Sequence, residues 1–468
     1  MNSIPLLAVL QIFADLFKHK WVEQWVQSQL SEPPQGKRGR GPYKRIFSLP
    51  VTLWYLIFQR LNTDKTLDAV LKDLGEGGAD RLSPSRREPL SKKVRSHATT
   101  AYSDARQRMP LKFLQWALQR IAAHVQPILE PTRDGGRKFQ LLDGSTLAVC
   151  ANPSLLKAYP SAKNQHGSSD WCLMRVVVGF CLWTGVVISA MEGSVLVSEQ
   201  VLAWSLMAQG LAGTVWIGDR NFGIWSVVAQ ALHCRQDVIV RFTKARAAHL
   251  TGKKQWVSGQ DQVVTWTRSK HDKICPGTEE VCVQGRLIYV RLCREGRFID
   301  LWLFTTLLDQ AAFPTARVVE LYGYRWQVEL NFRHLKTSLG LQTLIVQSPE
   351  MARKEFYAAL IAYNLVRIIM AAAQQPNAAE QPASQLSFSQ VRRLLVDWLV
   401  EWGKDWRSRR GSLTEKLESL IAKAARQKLP TRSKKRPSEP RRVRRRIAKF
   451  PALKGSRQAA RDKMKLSA

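Results

Sequence analysis

Three carboxylates and one helical segment carry the chemistry that this sequence offers. The segment reads Tyr322-Gly-Tyr-Arg325-Trp-Gln-Val-Glu329-Leu-Asn-Phe-Arg-His-Leu-Lys336. At about 100° per residue, Tyr322, Arg325, Glu329 and Lys336 share an arc of roughly 60° on one helix face. Trp326 and Phe332 flank that arc. A narrow polar stripe edged by large apolar groups suits a helix that packs on the body of the protein and delivers a carboxylate into a site. The same spacing also suits an Arg325–Glu329 pair on a solvated helix, where it contributes about 0.2–0.5 kcal/mol. The other two acids each close an apolar run that reads as a buried strand: Gln140-Leu-Leu-Asp143-Gly144 and Val215-Trp-Ile-Gly-Asp219-Arg220. Sites in open α/β sheets form just beyond strand ends. Asp beside Gly is also ordinary turn chemistry, so either aspartate alone has a structural reading.

Taken together, the three acids suggest a metal site. Converging carboxylates are costly unless cations neutralise them, and hard oxygen donors of this charge suit Mg²⁺ or Mn²⁺. Two such ions about 4 Å apart activate an attacking oxygen and stabilise a leaving one in phosphoryl transfer. No convincing Ser-His-Asp or Cys-His arrangement points to a covalent protein intermediate. Gly36-Lys-Arg-Gly-Arg-Gly41 lacks the spacing and the preceding strand of a phosphate-binding nucleotide loop, so no nucleotide cofactor is implied.

The elements that must position these acids can be read from periodicity. Residues 1 to about 133 look helical, with apolar residues at helical spacing in Pro5–Leu30, Leu49–Leu74 and Leu111–Val125. Basic loops at Pro33–Arg45 and Gly75–Arg95 separate them. From 134 to 242 the order is β-β-β-α-β-α-β. It comprises a strand Phe139–Val149 broken at Asp143-Gly144, a hairpin Leu173–Met191, a helix capped by Ser198, and the strands Thr214–Ile217 and Asp237–Phe242. A meander followed by alternating helices predicts a mixed sheet covered by helices. Residues 243–311 read as a β-rich insertion, and 312–373 return to helix through Thr315–Leu339 and Met351–Ala373. A linker rich in Ala, Gln and Pro leads to a helical region ending near 430, and a basic tail fills 431–468.

Composition sets the partner class. The 468 residues hold 72 Lys+Arg against 37 Asp+Glu, a net charge of +35. That balance belongs to a binder of polyanions, most often nucleic acid. Sixteen Trp and sixteen Phe exclude a wholly disordered basic chain. Seven cysteines without a Cys-x-x-Cys pair read as reduced thiols, and the spacing of His271, Cys275, Cys282 and Cys293 fits no common zinc pattern. The apolar start, Leu6–Phe17, carries Asp15 and has no basic residue before it, so no secretory signal is expected. Cys172–Met191 has the length of a membrane span. Arg175, the Thr184-Gly185 turn signal and its Val and Ile content fit two buried strands instead, and a soluble cytoplasmic protein is expected.

On these residues the chain resembles the bacterial insertion-sequence DDE transposases, the family-four group and its relatives marked by a Tyr-x₂-Arg-x₃-Glu-x₆-Lys signature. Tyr322, Arg325, Glu329 and Lys336 match it without a gap, and Asp143 in Leu-Asp-Gly-Ser-Thr and Asp219 in Gly-Asp-Arg-Asn-Phe-Gly resemble the two catalytic aspartates. The resemblance spans about residues 45–370; Tyr102–Arg108 and the Ser198-Glu199 helix also look familial, less specifically. It implies a ribonuclease H-like α/β fold, a mixed sheet flanked by helices, with a β-rich insertion and helical N- and C-terminal regions. It implies that Asp143, Asp219 and Glu329 bind two Mg²⁺, with Mn²⁺ as a substitute. Tyr322, Arg325 and Lys336 would contact DNA near the scissile bond, and Arg220 would contact DNA beside Asp219. Trp302, in Leu-Trp-Leu-Phe-Thr-Thr, resembles a tryptophan that stacks on a flipped base, against the reading of a buried strand aromatic. The expected partners are double-stranded DNA, as element ends and target, and a second copy in the DNA complex. A DNA-binding relative without catalysis, and a metal-dependent nuclease or resolvase, are the alternatives.

Overall fold

The computed structural model describes residues 46–84, 87–129, 136–164, 167–253, 255–294, 297–374, 386–406 and 411–429, with isolated positions elsewhere. The Pro5–Leu30 helix apart from Ile12 and Trp25, the Pro33–Arg45 loop, the linker after Gln374 and the basic tail of Arg432–Lys449 lie outside the described residues. The chain divides into one large unit, Met1–Cys293 with Phe298–Leu429, and a small one, Arg294–Arg297 with Pro430–Ala468. Asp143, Asp219 and Glu329 all belong to the large unit.

Among the described residues, four α-helices precede the sheet: α1 (Leu49–Leu61), α2 (Leu67–Gly75), α3 (Thr100–Arg108) and α4 (Leu111–Leu129). Pro50 sits in the first turn of α1, and Val51 to Gln59 are all buried. A helix apolar on every side belongs inside a protein. Between α2 and α3 the polar stretch is partly built in, since the Ser91 backbone N–H and hydroxyl both donate to the buried Asp80 carboxylate.

The sheet follows: β1 (Lys138–Val149), a short helix α5 (Pro153–Ala158), β2 (Ser161–Asn164), β3 (Gly167–Cys181), β4 (Val187–Ser194), α6 (Glu199–Ala208), β5 (Thr214–Gly218), α7 (Trp225–His233), β6 (Asp237–Phe242) and α8 (Lys244–Thr251). The strands β7 (Gln260–Trp266), β8 (Val283–Arg294) and β9 (Arg297–Thr305) continue from β6 in the same sheet. Ten strands are joined in the order β2-β3-β1-β5-β6-β9-β8-β7, with β4 on β3 and β10 (Thr343–Leu344) on β1. Cys172–Met191 forms most of the antiparallel pair β3–β4, as its Val-rich pattern and turn signal require. The result is a mixed ribonuclease H-like sheet flanked by helices.

Two expectations need correction. The strand at 139–149 is not broken at Asp143-Gly144. It runs unbroken from Lys138 to Val149, because both residues are paired with β3, at Val178 and Val177. The stretch 315–339 is not one α-helix. It comprises α9 (Thr315–Gly323), a 3₁₀ turn (Tyr324–Trp326), α10 (Gln327–Arg333) and a π turn (His334–Ser338). The chain curves there to bring Thr343–Leu344 back alongside β1, and such breaks in helical hydrogen bonding recur at functional sites.

The two layers meet on α11 (Pro349–Ala372), capped by the Ser348 hydroxyl and packed against α1 and α4. α11 is long and apolar enough to cross a bilayer, but 89% of its most apolar window is buried inside the protein. Its Glu355 side chain, 3% exposed, lies between Arg60 of α1, at 2.5 Å, and Arg106 of α3. Nearby, Lys65 Nζ donates to the carbonyl of Leu339 at 2.7 Å, beside Gly340 with φ +70°. Burial and the Arg60 and Arg392 charges lower the Lys65 ammonium to about 8. Two C-terminal helices, α12 (Phe388–Lys404) and α13 (Gly411–Ala425), pack on α11 and on each other.

Candidate active site

Strand register brings the two aspartates together. β1 and β5 are parallel, with Leu142 opposite Gly218 as the last pair. Asp143 is the next residue on β1 and Asp219 the first beyond β5, so they follow the last pair on strands about 4.8 Å apart. Beyond this point β1 has no partner on that edge until β10 joins it at Ala148 and Val149. The segment from α9 to the π turn leads into β10 and sets α10 against β1 over this gap.

Arg325, in the 3₁₀ turn, links the helix to the strand. Its Nη1 lies 3.8 Å from Asp143 Oδ2 and its Nη2 lies 3.8 Å from Glu329 Oε1. The Glu329 side chain is 46% exposed and the Asp143 side chain 22%. Burial, above all, raises the Asp143 carboxyl to about 6. The Gly144 N–H, which donates to Oδ1 at 2.8 Å, opposes the rise, Asp219 adds to it, Arg325 opposes it and Glu199 adds to it. Tyr322 is buried beside these groups. Burial raises its phenol, Arg325 and Arg241 counter that, and Asp219 reinforces it.

A fourth carboxylate stands here that the sequence did not single out for chemistry. Glu199 opens α6 behind the cap of Ser198, whose hydroxyl accepts from the Val201 N–H. The Glu199 carboxylate lies directly over Gly144 of β1, in space that a Cβ at that position would meet. Asn221 Nδ2 donates to Glu199 Oε2 at 2.6 Å, and its backbone N–H donates to Asp219 Oδ1 at 2.8 Å. Gln200 Nε2 donates to Asn221 Oδ1 at 2.6 Å, which fixes the direction of the Asn221 amide. Burial raises the Glu199 carboxyl; Arg175 lowers it and Asp219 raises it further. An isolated glycine inside a strand marks a close approach and was the available clue.

The remaining nominated residues are Lys336, Arg220 and Trp302. Lys336 sits in the π turn, half-buried, with burial lowering its ammonium. Arg220 is exposed beside Asp219. Trp302 is 8% exposed on β9, its ring 5.1 Å from that of Tyr289 and 6.3 Å from that of Trp256, within the sheet's aromatic core. Trp326 is 55% exposed, so it does not seal the polar stripe as its size suggests; Phe332 does.

The donors suit a divalent cation in kind: hard carboxylate oxygens in excess of positive charge, with a glycine cradle admitting one of them. A guanidinium already stands as the cation between two of them. Among the described residues, no three His, Cys, Asp or Glu side chains lie close enough to hold one ion as they stand.

A mixed ribonuclease H-like sheet flanked by helices is the fold of the DDE transposase class. Residues 134–365 match the family described as the transposase DDE domain, and the chain belongs to the insertion-sequence DDE transposases. It is similar to the transposase InsG for insertion sequence element IS4 of Escherichia coli (strain K12), 24% identical over 416 residues, 87% of this chain and 88% of the relative. Two shorter similarities are each 36% identical over 64 residues, 14% of this chain. One is to the putative transposase y4zB of Sinorhizobium fredii (strain NBRC 101917 / NGR234), covering 18% of it; the other is to the putative transposase InsL for insertion sequence element IS186A of Escherichia coli (strain K12), covering 17% of it. The chain is thus a DNA-acting enzyme of transposition, of a class that works with a divalent metal.

Proposed function

We propose that this transposase cleaves DNA at the ends of its element in Mg²⁺, or Mn²⁺ in its place, and joins the freed 3′-hydroxyl to target DNA. The observation that carries this reading is the register: Asp143 and Asp219 are adjacent at the end of the β1–β5 pairing, with Glu329 brought across by Arg325. Asp143, Asp219 and Glu329 would hold the ions. When bound, such ions activate the attacking oxygen and stabilise the leaving one. Arg325 moves from the carboxylates to a phosphate of the incoming strand, and Lys336 contacts a neighbouring phosphate. Tyr322, anchored by its burial, orients the turn that carries Arg325. Arg220 adds a phosphate contact at the rim, and Trp302 reaches a flipped base only if its aromatic cluster opens. The partners are double-stranded DNA, at element ends and target, and a second copy of the chain that pairs the two ends. The setting is the bacterial cytoplasm, on the nucleoid.

The test uses the purified full chain with DNA carrying its element's ends. The wild type is expected to nick and join in Mg²⁺ and to do neither in EDTA. Asp143→Asn, Asp219→Asn and Glu329→Gln are each expected to lower cleavage by about 10³-fold or more while leaving DNA binding intact. Full cleavage by any of the three removes that residue from the site. Cutting without joining replaces transposition with a nuclease or resolvase.

A further inference from the structure

The helix that carries Glu329 borders a cavity of about 160 Å³, enclosed by α10, α11 and the start of α12. Sites for drug-sized ligands occupy roughly 300–1,000 Å³, so an occupant here is ion-sized. The ordinary explanation is a packing gap that holds water, and the groups lining the cavity exceed it. Arg367 of α11 is 5% exposed; its Nε donates to the Tyr363 hydroxyl at 2.8 Å and its Nη2 donates to Asn331 Oδ1. That bond turns the Asn331 carbonyl oxygen to the guanidinium. The Asn331 Nδ2, on a residue 1% exposed, is left with no hydrogen-bond partner. A buried amide N–H is costly to leave unpaired. His334 lines the same cavity, with its ring stacked on Phe388 at 4.3 Å and its Nδ1 also without a partner. Burial first, then Arg367 and Arg333, lower its imidazole to about 3, so the ring is neutral and the field around it positive. Ser387 and Ser389 complete the wall at the N-terminus of the 17-residue α12, where the first N–H groups have no intrahelical acceptor.

A water molecule accepts two hydrogen bonds. The guanidinium, the Asn331 amide, the imidazole Nδ1, the serine hydroxyls and the helix N–H groups offer more donors than that. A surplus of donors beside a fixed positive charge is what a tetrahedral oxyanion satisfies.

We propose that this cavity binds a small oxyanion of the phosphate class, held by Arg367, Asn331 Nδ2 and the N-terminus of α12. The bound ion joins α10, which bears Glu329, to α11 and α12. This goes beyond the reading of the catalytic site and does not depend on a metal there. A free phosphate ion and a phosphate of a DNA strand carry the same chemistry.

The experiment titrates the full chain with inorganic phosphate by calorimetry, in EDTA, without DNA and at constant ionic strength. The wild type is expected to bind saturably, and its melting temperature to rise with phosphate. Ser389→Glu places a carboxylate at the exposed rim of the cavity. It is expected to weaken phosphate binding about 10–100-fold with an unchanged melting temperature in phosphate-free buffer. Asn331→Asp gives Arg367 an anion from within the chain. It is expected to abolish phosphate binding and to melt above wild type without phosphate, a gain that a merely structural amide would not release. A wild type that takes up no phosphate, or a Ser389→Glu variant that binds it with wild-type affinity, overturns the proposal. If Asn331→Asp fails to fold, Ser389→Glu decides it alone. A second arm compares binding of a short DNA duplex in phosphate and in chloride at equal ionic strength. Weaker duplex binding in phosphate for the wild type but not for Ser389→Glu identifies a DNA phosphate as the occupant; equal binding in both salts identifies a free ion.

Discussion

Two regions of this molecule set carboxylates beside arginines, and they are opposite in which charge is in surplus. Around Glu355 one buried carboxylate is shared by Arg60 and Arg106, with Lys65 nearby. There the surplus is positive, both guanidinium groups share the one carboxylate, and the group ties α1 and α3 to α11. Around Asp143 the ratio inverts: Asp219, Glu199 and Glu329 gather near it, while Arg325 approaches Asp143 and Glu329 no closer than 3.8 Å. Buried ionic groups tolerate little imbalance. The carboxylate shared by two arginines at Glu355 marks a structural joint. The negative surplus at Asp143 is what the proposed cation site calls for, and it carries a cost to stability while uncompensated.

Substitutions in each region put this contrast at risk. The largest effect is expected at the joint. Glu355→Gln leaves two guanidinium groups buried without their counter-charge and is expected to destabilise the fold by about 3–5 kcal/mol in denaturant titration. An unchanged midpoint would mean that the joint is not ionic in solution. At the site the sign reverses. The Asp143 carboxyl titrates near 6 when folded against 3.8 for the free group, so between those values the folded chain binds more protons than the unfolded one. Stability therefore falls as pH rises through that window, and the loss is complete above it. Asp143→Asn, unfolded in EDTA, is expected to be more stable than wild type by about 2 kcal/mol at pH 7, a gain that disappears below pH 4. A destabilised Asp143→Asn at neutral pH would contradict the surplus. The smallest effect belongs to Arg325→Gln. Its partners are distant and partly exposed, so the metal-free protein should lose less than about 1 kcal/mol by thermal unfolding. A loss as large as that at Glu355 would make Arg325 a structural residue.

The sequence exposed some of this arrangement and hid the rest for identifiable reasons. Asp143, Asp219 and Glu329 stood out because strand ends and a four-residue helical signature are local patterns. The mixed sheet was legible for the same reason, from Val- and Ile-rich runs and the Thr184-Gly185 turn. The strand that runs through Gly144 was not. Glycine in an apolar run reads as a break, and here its pairing with Val177 of β3 holds the strand together. Glu199 was hidden because its neighbour Asp143 lies 199 − 143 = 56 residues earlier, and the contact depends on how β3 and β4 fold back. The 3₁₀ and π turns around α10 were hidden because periodicity fixes which residues share a face and not how tightly the backbone winds. Trp326 shows the cost: a face assigned from an even 100° per residue predicts a covered ring, and that ring is exposed.

The burial of Pro349–Ala372 also governs how the chain is made. α1 ends at Leu61 and its covering helix begins 349 − 61 = 288 residues later. At about 5–20 residues per second, the ribosome leaves the apolar faces of α1 and α4 uncovered for roughly 15–60 s. Folding of the large unit is therefore completed late in translation. A chain stopped before residue 349 would lack the helix that covers α1 and α4 and would leave their apolar faces in water.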